Sequence, residues 1–378
     1  MSLTVLQGKV RTVATQLLSD KLDIWNAISN NTLVMGSTVQ TKDLIESLSW
    51  GLISGLVSER NAFAPVGTAA DVKVMAQLLA NQVRLDGKVG PLAITTGMLQ
   101  KLDTNMAEIA GVVAAQAAQG MIASFVKVGA GAAKAAISSQ ASLVTTQMVH
   151  NYAPGTANAP AVGSKFPTLI DLELATLPFG DRMADIRAWV MSGAQYIMFK
   201  AYDVIKNDKE LFKIESVRVM EDASGRRFIV TDAAGLGDSV VGLTQAGVIV
   251  NASALTMESG TVLGGENIER VLQGEYSYDV AVKGYRLKSA TTAIAGTKSF
   301  KQTDVMTTAN WEVLKSAGVD NAPVTFDNVE GATIPTTAAP AKKRQQTAQT
   351  EPTWNLKETA GVILTLTATT ATAPTVTP

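Results

Sequence analysis

The run from Met98 to Val128 constrains this chain more than any other stretch. Leu99, Leu102, Met106, Ile109, Val113, Ala117, Met121, Phe125 and Val128 recur at steps of three and four, while Lys101, Asn105, Glu108, Gln116 and Gln119 fall on or near the other side. This is the pattern of an amphipathic helix. Unbroken from about Thr104 to about Lys127, it would be roughly 36 Å long at 1.5 Å per residue, about the diameter of a small domain. Its Ala-rich middle, Ala114-Ala115-Gln116-Ala117-Ala118, favours helix and lets neighbouring segments approach closely. Such a helix can act as a spine, with an arm and a hairpin before it and a domain hung on its end. An ordinary core helix has the same periodicity.

Composition narrows what could be built on that spine. With 378 residues the chain has material for two or three domains. Hydrophobic residues make up 46% and charged residues only 17%, which is lean for a large monomer and points to burial between subunits. The formal net charge is -1, so no chain-wide basic field exists to drive non-specific nucleic-acid binding, and any such contact is local. There is no Cys, which removes disulfides, thiolate metal sites and cysteine nucleophiles together. The single His, His150, lies in a polar Asn-Tyr-Ala-Pro turn and reads as a surface loop residue. Met1 is followed by Ser-Leu-Thr, without the basic and apolar regions of a signal peptide. The least charged stretch, Ile109 to Val126, keeps Gln116 and Gln119 and reads as a packed helix instead of a membrane span.

Before the spine, Leu3 to Ile28 reads as a helix with Val5, Val10, Val13, Leu17, Leu18, Leu22, Ile24, Trp25 and Ile28 as its apolar set, interrupted near Ser19-Asp20. Asn30-Asn31 turns the chain into a short strand, Leu33-Val34-Met35. The stretch from Asn61 to Asn81 and the strands Val83-Arg84-Leu85 and Leu92-Ala93-Ile94, bent at Gly87 and Gly90, fit a long hairpin whose apolar residues are too sparse for a core of its own. After the spine, Gly129-Ala130-Gly131-Ala132-Ala133-Lys134 lacks the preceding strand and third glycine of a dinucleotide loop and reads as a helix-to-helix junction. Gly235-Leu236-Gly237-Asp238 reads as a turn.

A second folded region begins at Pro167, placed at the first turn of a short helix carrying Leu169, Ile170, Leu172, Leu174 and Leu177. Ile186 to Met191 reads as a buried strand, and Ser192 as the N-cap of a helix from Ala194 to Ile205 whose Tyr196, Ile197, Phe199 and Tyr202 face a core. Ile214 to Met220, Phe228 to Thr231, Val248 to Asn251, Thr256 to Thr261 and Tyr276 to Tyr285 are strand-like, which makes the region α+β. The carboxylates Glu221-Asp222 and Asp171/Glu173 have no His or Cys beside them in sequence and read as solvated turns and faces. From Gly331 to Pro352 the composition shifts to Thr, Ala, Pro and Gln with Lys342-Lys343-Arg344, a linker; Trp354 to Ala368 returns to strand character, and residues 369–378 form a Thr/Pro tail.

The order of these parts resembles the major capsid proteins of tailed bacteriophages, which share the Hong Kong phage-type fold. Asn30-Asn31-Thr32-Leu33-Val34-Met35 with Leu44 to Trp50 resembles the join between N-arm and extended loop, and Gln82-Val83-Arg84-Leu85 with Gly90-Pro91-Leu92-Ala93-Ile94-Thr95 resembles the strand before the spine. Asp181-Arg182-Met183-Ala184-Asp185-Ile186-Arg187-Ala188-Trp189-Val190-Met191-Ser192 is similar to a Gly-Asp, an aspartate and an apolar strand ending in Met before a helix. Arg226 to Asp232 is similar to the next hairpin. Asn310-Trp311-Glu312 and Trp354 to Val362 both resemble the same C-terminal motif.

The resemblance implies an N-terminal arm (1–40), an extended loop hairpin (41–81), a peripheral domain with the spine helix (82–150), an inserted axial domain (151–290), a return to the peripheral domain (291–330), a linker (331–353) and a C-terminal strand and tail (354–378). It implies a structural major head protein, not an enzyme, that self-assembles into hexamers and pentamers of an icosahedral shell around double-stranded DNA. Catalytic, cofactor-binding and metal residues are not expected. Expected partners are other copies, separate scaffolding, portal and decoration proteins, and packaged DNA by non-specific contact, with assembly in the host cytoplasm, the virion as final location and no membrane. A cellular nanocompartment shell of the same fold, similar to encapsulins, is the alternative. Some relatives link subunits by a lysine–asparagine isopeptide bond; here the 61–81 stretch has only Lys73, with Glu59 far along, so the expectation is a non-covalent shell.

Overall fold

The computed structural model describes residues 3–37, 44–50, 77–95, 106–149, 167–201, 208–262, 269–288, 300–314 and 355–368. Helix α1 (Leu3–Ile28) is continuous, without the expected break at Ser19-Asp20. Both residues are exposed, so their polar side chains face water and leave the helix intact. Val10, Ala14, Leu18, Leu22 and Trp25, at steps of four and three, are buried against the spine, whereas Ile24 from the expected apolar set is exposed.

The spine is α2 (Met106–Ser138), about 50 Å at 1.5 Å per residue. It runs through Gly129-Ala130-Gly131, where the sequence suggests a junction. A mid-helix glycine costs about 1 kcal/mol relative to alanine, but here it lets side chains settle on the helix backbone. A β-carbon at Gly129 would stand 3.0 Å from Leu33 Cδ1 and 3.3 Å from Val250 Cγ2, and one at Gly131 would stand 2.5 Å from Met306 Cε. From Val128 to Ala133 every residue is buried, and the wet side of this half of the helix narrows to the half-buried Ser124, Lys127, Lys134 and Ser138. The stretch 110–138 is long and apolar enough to cross a membrane by length and composition, yet it is largely buried inside the protein.

Two sheets flank the spine. The first joins β1 (Leu33–Gly36), β10 (Val248–Ala252), β12 (Glu269–Val282), β3 (Gln77–Thr95) and β2 (Leu44–Trp50) in that order, with β11 (Thr256–Val262) also on β12. β3 is one strand through Gly87 and Gly90, with its irregularity opposite Leu272 and Gly274. The second sheet runs β4 (Val144–Val149), β15 (Gly361–Ala368), β9 (Ser239–Thr244), β5 (Ile186–Met191), β8 (Arg227–Thr231), β7 (Val217–Glu221), β6 (Lys209–Ile214). Strand pairing thus cuts across the linear grouping: β10 to β12 lie with β1 to β3, and β4, which leaves the spine, lies with β5 to β9. The expected single strands at 214–220 and 276–285 are each divided by a turn, at Glu215 (φ 46°) and Gly284 (φ 81°). β4 and β9 are additions that the sequence reading lacks.

The short elements follow local chemistry. α3 (Leu169–Ala175) is capped by Thr168, whose hydroxyl accepts from the Asp171 N–H while Asp171 accepts from the Thr168 N–H; Pro167 therefore lies outside the helix. α4 (Gly193–Ala201) has the expected cap, with the Ser192 and Gln195 side chains each accepting the other's N–H at 3.3 and 3.0 Å. Tyr196 and Phe199 of α4 are buried, but Ile197 is exposed; Tyr202 lies outside the described residues. α5 (Gln302–Val305) leads to β14 (Trp311–Val313), which pairs with β13 (Tyr285–Leu287). The two Trp-containing candidates for the C-terminal motif therefore go to different sheets.

Side-chain amides complete strand edges where backbone runs out. Asn26 Nδ2 donates to Met35 O and its Oδ1 accepts from Met35 N, both at 2.8 Å, while Trp25 Nε1 donates to Leu33 O at 2.9 Å. The end of α1 therefore substitutes for a neighbour strand along β1, with Asn30 and Asn31 in left-handed conformation making the reversal. Asn81 makes the same two-way contact with Leu287, at 2.8 Å each way, and ties β13 to β3. Arg227 Nη1 donates to Ile28 O at 2.8 Å and caps α1. Asn26→Ala is expected to lower stability by about 2 kcal/mol in urea denaturation, since it leaves two buried backbone groups without partners. Asp23→Ala, on the exposed face, should change it by less than about 0.5 kcal/mol.

Candidate assembly surfaces

The charged groups singled out in the sequence serve the fold. Glu173 pairs with Arg226 at 2.5 Å, Glu221 with Arg227 at 3.1 Å, and Asp222 Oδ1 accepts from the N–H groups of Ser224 and Arg226 at 2.8 Å, closing a tight turn. Among the described residues, no three His, Cys, Asp or Glu side chains gather as a metal would require. His150, Glu59, Lys73 and Lys342-Lys343-Arg344 lie outside the described residues. The Gly235–Asp238 turn presents carbonyls, not N–H groups, to the spine: Gly235 O and Leu236 O accept from Lys134 Nζ at 2.8 and 2.9 Å. Burial lowers the Lys134 pKa and Asp238 pulls it back up. A loop built to hold an ammonium this way is not a phosphate cradle.

At the end of α4, Asp208 accepts from Lys200 Nζ at 3.0 Å and from Tyr196 Oη at 2.8 Å. The lysine above all holds its carboxyl below the usual range, burial opposes it, and the tyrosine adds to the lowering, while burial first and Asp208 second push the Tyr196 hydroxyl up.

The C-terminal segment is tied to the body by ion pairs and by a strand. Lys357 Nζ meets Asp181 Oδ1 at 2.6 Å and Arg182 Nη1 meets Glu358 Oε1 at 2.5 Å, so two stretches far apart in sequence pair through neighbouring residues on each side. β15 then slots between two partners, parallel to β4 over Ile363–Ala368 and antiparallel to β9 over Gly361–Thr365. Val362, Ile363, Leu364 and Leu366 are buried, so both faces of the strand are covered and each side chain contributes about 1.5–3 kcal/mol of burial. Gly361 (φ 153°) crosses Gly242 so closely that a β-carbon would collide with the Gly242 carbonyl.

Among the described residues, two surfaces remain open to a partner. On α3 and the 3-10 turn Leu177–Asp185 that follows it, Ile170, Leu174 and Leu177, spaced four and three apart, form a stripe exposed by 70%, 36% and 68%, with Met183 beyond it at 58%. A shallow cleft of about 220 Å³, lined by Leu172, Glu173, Thr176, Met183, Arg187 and Arg226 among others, lies beside them. The second surface is the ribbon β11-β12-β3. Leu255, Met257 and Leu272 are buried on one face, where Gln7 of α1 contacts the backbone of Met257 and Ser259 donates to Gln7 Oε1 at 2.9 Å; Glu258, Gln273, Glu275 and Lys88 are exposed.

Residues 2–324 match the Gp13-like family, described as Major capsid protein 13-like. The chain belongs to this family of major capsid proteins. It is a structural subunit of a virus capsid and a component of the virion, built from many copies of one chain. Its α+β architecture with a spine helix agrees with the Hong Kong phage-type fold, and the nanocompartment alternative is not favoured by this match. Solved structures align loosely: a chain of Mycobacterium phage Cain at 11% identity and TM-score 0.42, covering 68% of this chain and 83% of that one. A chain titled as the capsid structure of Cyanophage P-SCSP1u aligns at 12% and 0.37, covering 67% and 84%. The capsid of Ralstonia phage GP4 aligns at 9% and 0.37, covering 68% and 84%. At these scores the assignment rests on the family match. No curated protein matches the sequence.

In this capsid protein, Gly361→Ala is expected to lower stability by about 2–4 kcal/mol in urea denaturation, through overpacking and strain together. Gly260→Ala, where a β-carbon meets open space, should leave it within about 0.5 kcal/mol. Because the Asp208 pKa is depressed by folding, its contribution is complete above the ordinary carboxylate pKa of about 3.9 and is lost as pH falls through the lower folded value. Asp208→Asn should therefore flatten the acid limb of a stability-against-pH curve and leave the limb above pH 5 parallel to wild type.

Proposed function

We propose that this chain is the wall-forming subunit of an icosahedral phage head, assembling as hexamers and pentamers around double-stranded DNA. The observation that carries the reading is the stripe Ile170, Leu174, Leu177. Three large apolar side chains at helical spacing face water in the isolated subunit, and a second copy is the partner that a self-assembling protein supplies in quantity. The roles take the linear order as their starting point: residues 1–40 as an arm, 41–81 as an extended loop hairpin reaching a neighbour, 82–150 and 291–330 as the peripheral wall, and 151–290 as the axial region that meets its copies around the capsomer axis, with its strands β10 to β12 shared with the wall through their pairing to β1 and β3. Residues 331–353 act as a linker and 354–378 as the returning strand and tail. A near-neutral subunit suits DNA confined inside a wall and touched without sequence preference. Scaffolding, portal and decoration functions fall to separate proteins, assembly takes place in the host cytoplasm, and the subunit carries out no turnover.

Electron microscopy of the purified protein under assembly conditions should show closed shells; monodisperse monomers under all conditions would sink the proposal. Ile170→Lys with Leu177→Lys should abolish shells while leaving the thermal unfolding midpoint of the dissociated subunit within a few degrees of wild type. Normal shells from that double variant would show that the stripe is not the contact.

A further inference from the structure

The strand β15 lies inside the second sheet, between its edge strand β4 and β9, yet it lies outside the family match, which stops at residue 324. Its attachment begins and ends beside one turn. Leu314 N donates to Gly284 O at 3.1 Å, and Ala360 N donates to Lys283 O at 2.9 Å, so the chain leaves and re-enters the subunit at one turn. Asn355 is five residues before Ala360 and lies at most about 18 Å from it. Between Leu314 and Asn355 the sequence spends forty residues, 315–354, which extend to roughly 140 Å at full stretch. Reaching its own slot demands only a small part of that length.

The segment 355–368 carries everything needed to occupy a slot. Lys357 and Glu358 find Asp181 and Arg182, Gly361 fits against Gly242, and eight strand residues pair with β4 and β9. Thr244 adds a backbone bond to Ala360 O at 2.8 Å and a hydroxyl bond to Thr359 O at 2.9 Å. All these partners belong to the subunit body, so any body of the same sequence offers the same site.

We propose that the β4–β9 slot is a strand-acceptor site and that, in the assembled shell, it takes residues 355–368 from a neighbouring copy. The proposal rests on the shell reading. Neighbours in such a wall sit about 50 Å apart, the diameter of a body of this length at ordinary packing density, well inside the reach of 315–354. Identical strands make identical contacts in identical slots, so exchange costs nothing in contact energy while linking each subunit to the next. The dissociated subunit keeps its own strand, as in the structure.

The chain has no cysteine, so introduced pairs report without background. Thr365 and Ser239 are directly opposed across β15 and β9, and opposed residues in an antiparallel pair lie about 4.5–5.5 Å apart, within disulfide range. T365C with S239C in one dissociated subunit should oxidise to an intrachain disulfide that runs as monomer on a non-reducing gel. Subunits carrying T365C alone are then mixed with subunits carrying S239C alone, assembled and oxidised. Disulfide-linked dimers from the mixed shells, absent when either variant is assembled by itself, are the expected result. Intact shells by electron microscopy that yield only monomers would overturn strand exchange, while failure of wild-type protein to form shells would overturn the assembly reading instead.

Discussion

Burial of the spine helix between two sheets is the constraint on which the rest of the structure depends. A helix with one apolar face could lie on the surface of a single sheet, but from Val128 to Ala133 every residue of α2 is buried, and beyond that only Lys134 and Ser138 stay half-open. It must be covered all round, and β1, β10 and β12 on one side with β9 and β15 on the other supply the cover. Gly129 and Gly131 allow the close approach that this sandwich requires. Phe125 adds an aromatic cluster with Tyr276 and Tyr278, at centroid distances of 5.9 and 5.2 Å, and burial raises the Tyr278 pKa to about 12.

Because the spine packs against both sheets, the elements at its ends are drawn in with it. α1 packs along α2 and contacts both sheets, through Asn26 and Trp25 on β1 and through an edge-to-face contact of Trp25 with Phe212 at 5.7 Å. β4 continues directly from the spine into the second sheet, and β15 covers it there. The result is a subunit whose N-terminal and C-terminal segments are both structural parts of the core, while the apolar stripe on α3 and the outer face of the β11-β12-β3 ribbon remain outward. That division between an inner frame and outward surfaces is what a wall-forming subunit needs. The frame keeps its shape while the surfaces meet other copies.

Much of this was legible in the sequence wherever one segment carried its own periodic signal. The spacing of Val10, Leu18, Leu22 and Trp25 placed α1, the Met106–Val128 part of the register placed the spine while Leu99 and Leu102 lie outside the described residues, and the alternation of Val362, Leu364 and Leu366 with threonines placed β15. The Ser192 cap could be read because capping depends on residues three apart. The absence of Cys and the single His limited the chemistry before any fold was known, and the order of the elements carried the likeness to phage capsid proteins. The apolar stripe was visible as Ile170, Leu174 and Leu177, but not its exposure. Burial depends on which face a sheet covers, and that information is not local.

Only the tertiary structure decided the features that depend on partners far away in sequence. Gly129 and Gly131 carry helix-breaking propensity, and helix continues through them because Leu33, Val250 and Met306 pack onto the glycines. β9 was hidden because Gly242 and the preceding Gly turn mask its apolar run, and it becomes a strand by lying between β15 and β5. The pairing of Lys357 and Glu358 with Asp181 and Arg182 joins residues that look like ordinary surface charge in isolation. Local sequence therefore determined most of the elements, though not β4, β9 or the helix through Gly129 and Gly131, since capping and periodicity act within a few residues. Which sheet each element joins was settled by long-range burial around the spine, because the free energy of covering a mostly apolar helix exceeds the local preferences of the residues that cover it.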